Sequence, residues 1–295
     1  MSNPAFSIRI FVPDGDPDGL RMVERSNWIG KALVFPRSLL PQIKRREEFI
    51  QTGVYVLIGP REEGEGEAIY VGEGDPVLPR LENHFANKDF WTRAAFFVTT
   101  STGLNKAQVQ YLESRLVSLA HEAKRVRLEN RTQPALPTLH EADLADMEVF
   151  LGNMLQIMPL IGISAFERPK RPARKKRNRL FCSGKGVMAE GYESSEGFVV
   201  LEGSHAIDQT APSMEHRVSG YFDLRRELIE SGVLVEDAQG LRFSQDYIFK
   251  SPSAAASVVL GRAANGRIEW ANEEGRTLKA IQGAAVADST PTTDS

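Results

Sequence analysis

Apolar and polar positions switch between a two-residue and a three-to-four-residue period along the chain, and the switches lay out a mixed series of strands and helices. Residues 6–12 and 32–35 read as strands, with Asp14-Gly15 and Asp18-Gly19 as turn signals between them. A short helix is predicted over 38–48. Residues 54–58 and 68–71 form two further strands, joined by the acidic, glycine-rich run Glu62-Glu63-Gly64-Glu65-Gly66-Glu67, a mobile connection. Residues 78–85 have helical spacing and 94–100 is again a strand. Asn105 is placed to cap a helix reaching about Lys124, with Val109, Leu112, Leu116 and Leu119 as its apolar stripe. The central order is β-β-α-β-α, and another helix begins near Glu141.

Residues 149–166 carry no charge, yet they contain Asn153, Gln156 and Pro159 and continue a segment with Asp143, Asp146 and Glu148. A membrane span needs about 20 consecutive apolar residues. Leu144, Met147, Leu151, Met154 and Met158 recur at helical spacing, which predicts a buried amphipathic helix ended near Pro159. The first eight residues lack a basic start followed by an apolar run, so no secretory signal is expected. The expectation is a cytoplasmic protein with no membrane partner.

Charge divides the chain. Arg168, Lys170, Arg171, Arg174, Lys175, Lys176, Arg177 and Arg179 follow one another with no intervening acid, and Pro169 and Pro172 disfavour regular structure there. Those eight belong to a total of 36 Lys and Arg, so the rest of the chain sets 28 cations against 39 acids, a balance of −11 inside an overall −3. A basic linker in an acidic body can track phosphates, or serve as a solvated spacer. Beyond it, a hairpin is predicted over 186–201, a helix over 224–231 ended by Gly232, a strand over 241–249 and a small-residue helix over 253–260. The expected organisation is an N-terminal β-rich extension (1–50), a central domain with an added C-terminal helix (51–167), the linker (168–180), an accessory domain (181–283) and a disordered tail (284–295). The fold class is α+β. With 41% hydrophobic and 25% charged residues the 295-residue chain has an ordinary globular composition, and its single cysteine, Cys182, excludes a disulfide framework and a cysteine-based zinc site.

Chemistry concentrates between Gly53 and Asn130: Gly53-Val54-Tyr55, Tyr70-Val71-Gly72, Pro79-Arg80-Leu81-Glu82-Asn83-His84, Tyr111-Leu112-Glu113-Ser114-Arg115-Leu116 and Glu129-Asn130. Arg80 and His84 lie four apart, on one helix face. A guanidinium fork suits a phosphate, and an imidazole can exchange a proton near neutral pH. The plain alternatives are an Arg80–glutamate pair and a packing histidine. Tyr55 and Tyr70 sit on adjacent strands, where their phenols meet over one face or simply pack. His121, His140, His205 and His216 form no ligand spacing, and Gly184-Lys185-Gly186 is only a fragment of a phosphate loop.

This ordered set resembles the GIY-YIG nuclease superfamily, with Val in place of Ile in each tripeptide and a longer connection between them. The resemblance covers about 80 residues. It implies a small β-β-α-β-α core that hydrolyses phosphodiester bonds, in DNA first of all, with Tyr55, Tyr70, Arg80, His84, Glu113 and Asn130 as the active-site set. Glu113 is the carboxylate that would hold Mg2+ or Mn2+, the hard cation such chemistry favours. Asn130 is open between orienting a phosphate and capping a turn. The C-terminal segment, notably Tyr247-Ile248-Phe249 and Ser251-Pro252-Ser253-Ala254-Ala255-Ala256-Ser257, is similar to a bacterial domain of unknown function that accompanies such nucleases. It implies a modular protein, with a partner surface as one use of that domain. Trp270 with Arg262, Arg267 and Arg276 suggests either a nucleic-acid surface or a packed core. The competing reading is a catalytically weak nucleic-acid-binding or interaction module that keeps the fold. Repair, restriction or defence, and mobile-element roles are all compatible with the sequence.

Overall fold

The computed structural model describes residues 5–61, 66–100, 103–167, 179–211, 214 and 219–288. The chain divides into two compact units, 1–167 and 168–295, and it is of the α+β class. The first unit contains strands β1 (Ile8–Phe11), β2 (Arg21–Arg25), β3 (Gly30–Pro36), β4 (Gly53–Pro60), β5 (Glu67–Gly74), β6 (Arg93–Thr99) and β7 (Arg127–Leu128). Its helices are α1 (Leu40–Ile43), α2 (Leu78–Asn87), α3 (Lys106–Ala123) and α4 (Glu141–Ile157).

All seven strands join one sheet in the order β1-β2-β3-β6-β4-β5-β7. The unbroken apolar run of β4 follows from its place between two cores. Val54, Val56 and Ile58 face one side with Ile69, Val71, Ala95 and Phe97, under α3 and α4. Tyr55 and Leu57 face the other side with Leu81, Trp91, Phe96 and Phe35, next to α1 and α2. The unit is a three-layer sandwich around an antiparallel sheet whose one parallel pair is β5 with β7. That last pairing spans only Ala68–Arg127 and Ile69–Leu128, so among the described residues no strand covers the outer edge of β5 from Tyr70 onward.

The expected N-terminal β-rich region is present, and its strands continue the same sheet, β3 pairing along its whole length with β6. Several other expectations are corrected here. A strand that the turn signals had concealed, β2, lies between β1 and β3, with Met22 and Val23 buried amid its charged neighbours. The helix expected over 38–48 breaks into a 3-10 turn, the four-residue α1 and a second 3-10 turn, Glu47–Ile50. The break lies at Arg46, which is extended and pins the buried Glu48 carboxylate together with Lys31. The strand expected over 241–249 is two strands in different sheets, separated where Asp246 accepts the Glu202 amide at 2.8 Å. Helix α4 with its 3-10 extension, Glu141–Ile161, is long and apolar enough by composition to cross a membrane. Met147, Phe150, Leu151, Met154 and Ile157 are in the core against the sheet, while Leu144, expected in that stripe, is exposed.

The second unit holds a four-stranded sheet, ordered β14-β10-β9-β8, and a three-stranded sheet, ordered β11-β13-β12. The strands are β8 (Leu180–Gly184), β9 (Val187–Ser194), β10 (Gly197–Val200), β11 (His205–Ala206), β12 (Leu234–Asp237), β13 (Gly240–Phe243) and β14 (Tyr247–Phe249). The helices are α5 (Ser219–Glu230), α6 (Pro252–Leu260), α7 (Gly266–Glu269) and α8 (Leu278–Asp288). The Gly184-Lys185-Gly186 fragment is the β8–β9 hairpin, with positive φ at both Lys185 (48°) and Gly186 (86°), the mirror-image turn that two-residue hairpins favour. Trp270 is fully buried against Phe198, ring centroids 4.5 Å apart, and its indole N–H donates to the Pro252 carbonyl. It is core, and the tryptophan-based nucleic-acid surface is withdrawn. Residues 284–288, expected in the tail, continue α8; 289–295 lie outside the described residues.

Asn105 accepts the Gln108 amide at 2.9 Å while the Gln108 side chain accepts the Asn105 amide at 3.0 Å, a reciprocal cap that starts α3. Asn105→Ala lowers the stability of the first unit by about 1 kcal/mol, a shift measurable by urea unfolding.

Candidate functional site

Strand register brings the first two residues together. Tyr55 stands opposite Gly72, and Leu57 opposite Tyr70, so the two tyrosines are diagonal neighbours on one face, ring centroids 6.4 Å apart and nearly parallel. The Tyr55 ring lies directly over Gly72: a Cβ there would come within 2.3 Å of the phenol oxygen and 2.5 Å of Cζ. The glycine of Tyr70-Val71-Gly72 is thus required by the tyrosine of the other tripeptide.

Helix α2 covers this face. Arg80, His84 and Lys88, at four-residue spacing, form one stripe along and just past it. His84 is buried, and its Nε2 lies 2.8 Å from the Tyr55 hydroxyl; its ring meets Tyr70 edge-on at 4.8 Å. Its Nδ1 is buried with no partner among the described residues. Because a buried unsatisfied N–H costs more than a buried lone pair, the proton belongs on Nε2, donating to Tyr55. Burial, reinforced by Lys88 and Arg80, lowers the His84 pKa to about 4. The expectation of a proton exchanger near neutral pH gives way to a neutral imidazole that orients Tyr55. The Tyr55 phenol also accepts from Arg80, and burial pushes its pKa far above the usual tyrosine range. Burial thus favours the neutral hydroxyl of Tyr55. Burial likewise raises the Tyr70 phenol.

Glu113 approaches from the other face, on α3, and meets Tyr70 at the uncovered edge of β5. Burial, then the nearby Glu73, raises its pKa to about 7, while Arg80 and Lys106 oppose the rise. Glu73 is the residue that motif reading missed. It is almost fully buried, and both its carboxylate oxygens accept from the Lys106 ammonium, at 2.6 and 2.8 Å. The signal was present: Glu73 directly follows Gly72 with the parity of Val71, facing α3, and Lys106 lies seven residues before Glu113, two turns along the same helix face. Asn130 is engaged as a surrogate strand. Its Oδ1 accepts from the Val71 amide at 2.9 Å and its Nδ2 donates to the Val71 carbonyl at 2.8 Å, continuing the pairing that β7 stops. An open cleft of about 400 Å3 results, lined by Tyr70, Lys88, Glu113, Glu129, Asn130 and Arg131 among others.

The structure therefore brings Tyr55, Tyr70, Arg80, His84 and Glu113 into one cluster, with Asn130 at its rim. Arg168, Lys170, Arg171, Arg174, Lys175, Lys176 and Arg177 lie outside the described residues. Arg179 is paired with Glu190 at 2.6 Å. Among the described residues no group of three or more His, Cys, Asp or Glu side chains is gathered to cage a metal. Glu113 suits the other kind of cation site, one or two carboxylates and several waters, which is how Mg2+ is commonly held.

Residues 180–282 match a family described as a domain of unknown function, DUF4357. That match does not extend to the first unit, and no match to the GIY-YIG superfamily was found. Comparison with curated proteins and with solved structures gave no match.

Two consequences are measurable. Gly72→Ala forces the Tyr55 ring off its place and breaks the contact with His84, so the buried-tyrosine signal in near-ultraviolet circular dichroism changes and stability falls by about 1–3 kcal/mol. An unfolded Glu113 carboxyl ionises near 4.5 and the folded one near 7. The native state keeps its proton through that window, and stability declines as pH rises across it. In chelator, Glu113→Gln is thus more stable than wild type above pH 7, by about 1–2 kcal/mol after allowance for solvent screening of a partly exposed group. The gap closes below pH 4.5; a gap independent of pH would place the ionisation elsewhere.

Proposed function

We propose that the first unit is a metal-dependent endonuclease of the GIY-YIG type that hydrolyses phosphodiester bonds, with DNA as its substrate. One observation carries the reading: Tyr55, Tyr70, Arg80, His84 and Glu113, from two strands and two helices spread over about 60 residues, meet beside one open cleft. Structural roles alone do not require a buried neutral histidine, two tyrosines, an arginine and a half-buried carboxylate to share a sheet edge.

Each residue has work that its surroundings permit. Arg80 donates to Tyr55 and faces Tyr70 and Glu113. From there its guanidinium neutralises charge growing on a phosphate in the cleft. Tyr55, held by His84 and Arg80, turns its hydroxyl proton toward the attacking water or the phosphate. Tyr70, half-buried at the cleft wall, orients the same group. Glu113 would hold Mg2+ or Mn2+, which supplies Lewis-acid activation of water and charge neutralisation. Glu73, locked to Lys106, fixes the edge of the sheet beside Glu113 where a cation would sit. Asn130 fixes the β5 edge against which these groups are aligned. The linker cations and the DUF4357 domain would hold substrate or a protein partner.

A second reading, a weakly active binding module, has one point in its favour. A carboxyl raised to about 7 binds a proton in competition with a cation near neutrality. Cleavage of single-stranded, duplex and branched DNA with Mg2+, Mn2+ or chelator decides between them. The expected result is metal-dependent cutting that Glu113→Ala abolishes with binding retained, and that Arg80→Ala slows by about 100- to 1,000-fold. Equal cutting by Glu113→Ala and wild type defeats the assignment, and binding with no cutting by wild type favours the second reading.

A further inference from the structure

Two cations that no motif singles out share the cleft with Glu113. Lys88 is the first residue past α2 and ends the Arg80–His84 stripe, its ammonium 4.6 Å from the centroid of the Tyr70 ring. Arg131 comes from a different element, the segment after β7 that Asn130 ties to Val71. Most cations nearby are already engaged. Lys106 is bound to Glu73, Arg127 to Glu129 and Arg115 to Glu148. Arg93 donates to the Ile161 and Gly162 carbonyls and pairs with Glu67. Among the described residues, Lys88 and Arg131 form no ion pair and remain available to an incoming anion.

The charge of the lining points the same way. Glu129 is neutralised by Arg127 at 3.1 Å, and Glu113 faces Arg80, which leaves the two lysine and arginine charges in excess. A single small anion can satisfy one fixed cation, whereas a chain of phosphates satisfies two on separate elements at once. We propose that Lys88 and Arg131 bind backbone phosphates on the two sides of the one presented to Glu113, so that a nucleic-acid strand lies along the open edge of β5. The proposal rests on the nucleic-acid part of the reading above and is independent of whether the strand is cut.

The test is fluorescence anisotropy of a labelled oligonucleotide, single-stranded in one arm and duplex in the other, with the full chain in chelator over a range of salt. Wild type is compared with Lys88→Ala, Arg131→Ala, the double variant and the Lys88→Arg control, with circular dichroism confirming that each is folded. Each alanine is expected to reduce the slope of log affinity against log salt by about 0.7 on a single strand or about 0.9 on a duplex. Losses that add in the double variant, with Lys88→Arg near wild type, support the proposal, and the arm that shows them identifies the form of strand bound. Wild-type slope and affinity for the folded double variant in both arms overturn it. Reduced slopes in a protein that never cuts would retain this inference and remove the nuclease reading; Glu113-dependent cutting with unchanged slopes would do the reverse.

Discussion

The first unit depends on the contact between the Tyr55 ring and Gly72 across the β4–β5 ladder. Removing a side chain at residue 72 creates a floor on which a large ring can lie at strand-to-strand distance. The ring then fills the place of the missing side chain and stops where its oxygen reaches His84 and Arg80. Everything assembled on that face takes its position from this fit. Tyr70 is one diagonal step away, and α2 must close over the pair with His84 inward. A register slip of one residue would put Tyr55 into the core beneath α3 and leave the glycine with nothing to accommodate.

A second constraint comes from charge brought near the sheet edge. Glu73 sits almost fully buried, which only its two-pronged contact with Lys106 makes tolerable. The pair is in turn part of the field at Glu113: Glu73 raises that carboxyl and Lys106 opposes it. Arg80 then couples the two faces, since it is felt by both tyrosines and by both glutamates. Tyrosine hydroxyl, guanidinium and carboxyl are therefore poised as one electrostatic unit, although they come from opposite sides of the sheet. The gap that lets them meet is made by β7, which covers only two residues of β5 before Asn130 takes over the pairing.

Periodicity revealed the long elements well, because α3 and β4 have patterns that no other period explains: an apolar stripe behind an Asn cap, and a run buried on both faces. It concealed β2, whose Arg21, Glu24 and Arg25 outnumber the buried Met22 and Val23, and it joined β13 to β14, because their separation depends on Asp246 finding the distant Glu202 amide. The site was legible to the extent that motif residues were named, yet their chemistry was not. Burial turns His84 from a proton exchanger into a neutral hydrogen-bond donor, and burial is a property of the folded layers. Asn130 carried no local pattern at all, since its partner is backbone 59 residues earlier. Glu73 and Lys106 were readable in principle from strand parity and helix spacing, but only after the register of β5 against α3 is known.

The charge distribution gains a sharper meaning from these contacts. An acidic body with a basic linker suggests that a polyanion is steered from outside the domain, yet most of the domain's own cations are engaged in holding it together. Arg93 anchors the end of α4's extension, Arg46 and Lys31 neutralise Glu48, and Arg37 lies against Phe85 and Trp91 while bonding the Phe85 carbonyl. A cation locked in a structural pair contributes little field at a distance in salt solution. On the proposed reading, long-range attraction would come from outside the folded first unit, whereas the cleft would act at contact range through Lys88 and Arg131 in its lining. On that reading, capture and alignment would be separable steps: the linker would set how often a strand arrives, and the edge of β5 would set which bond comes to rest beside Glu113.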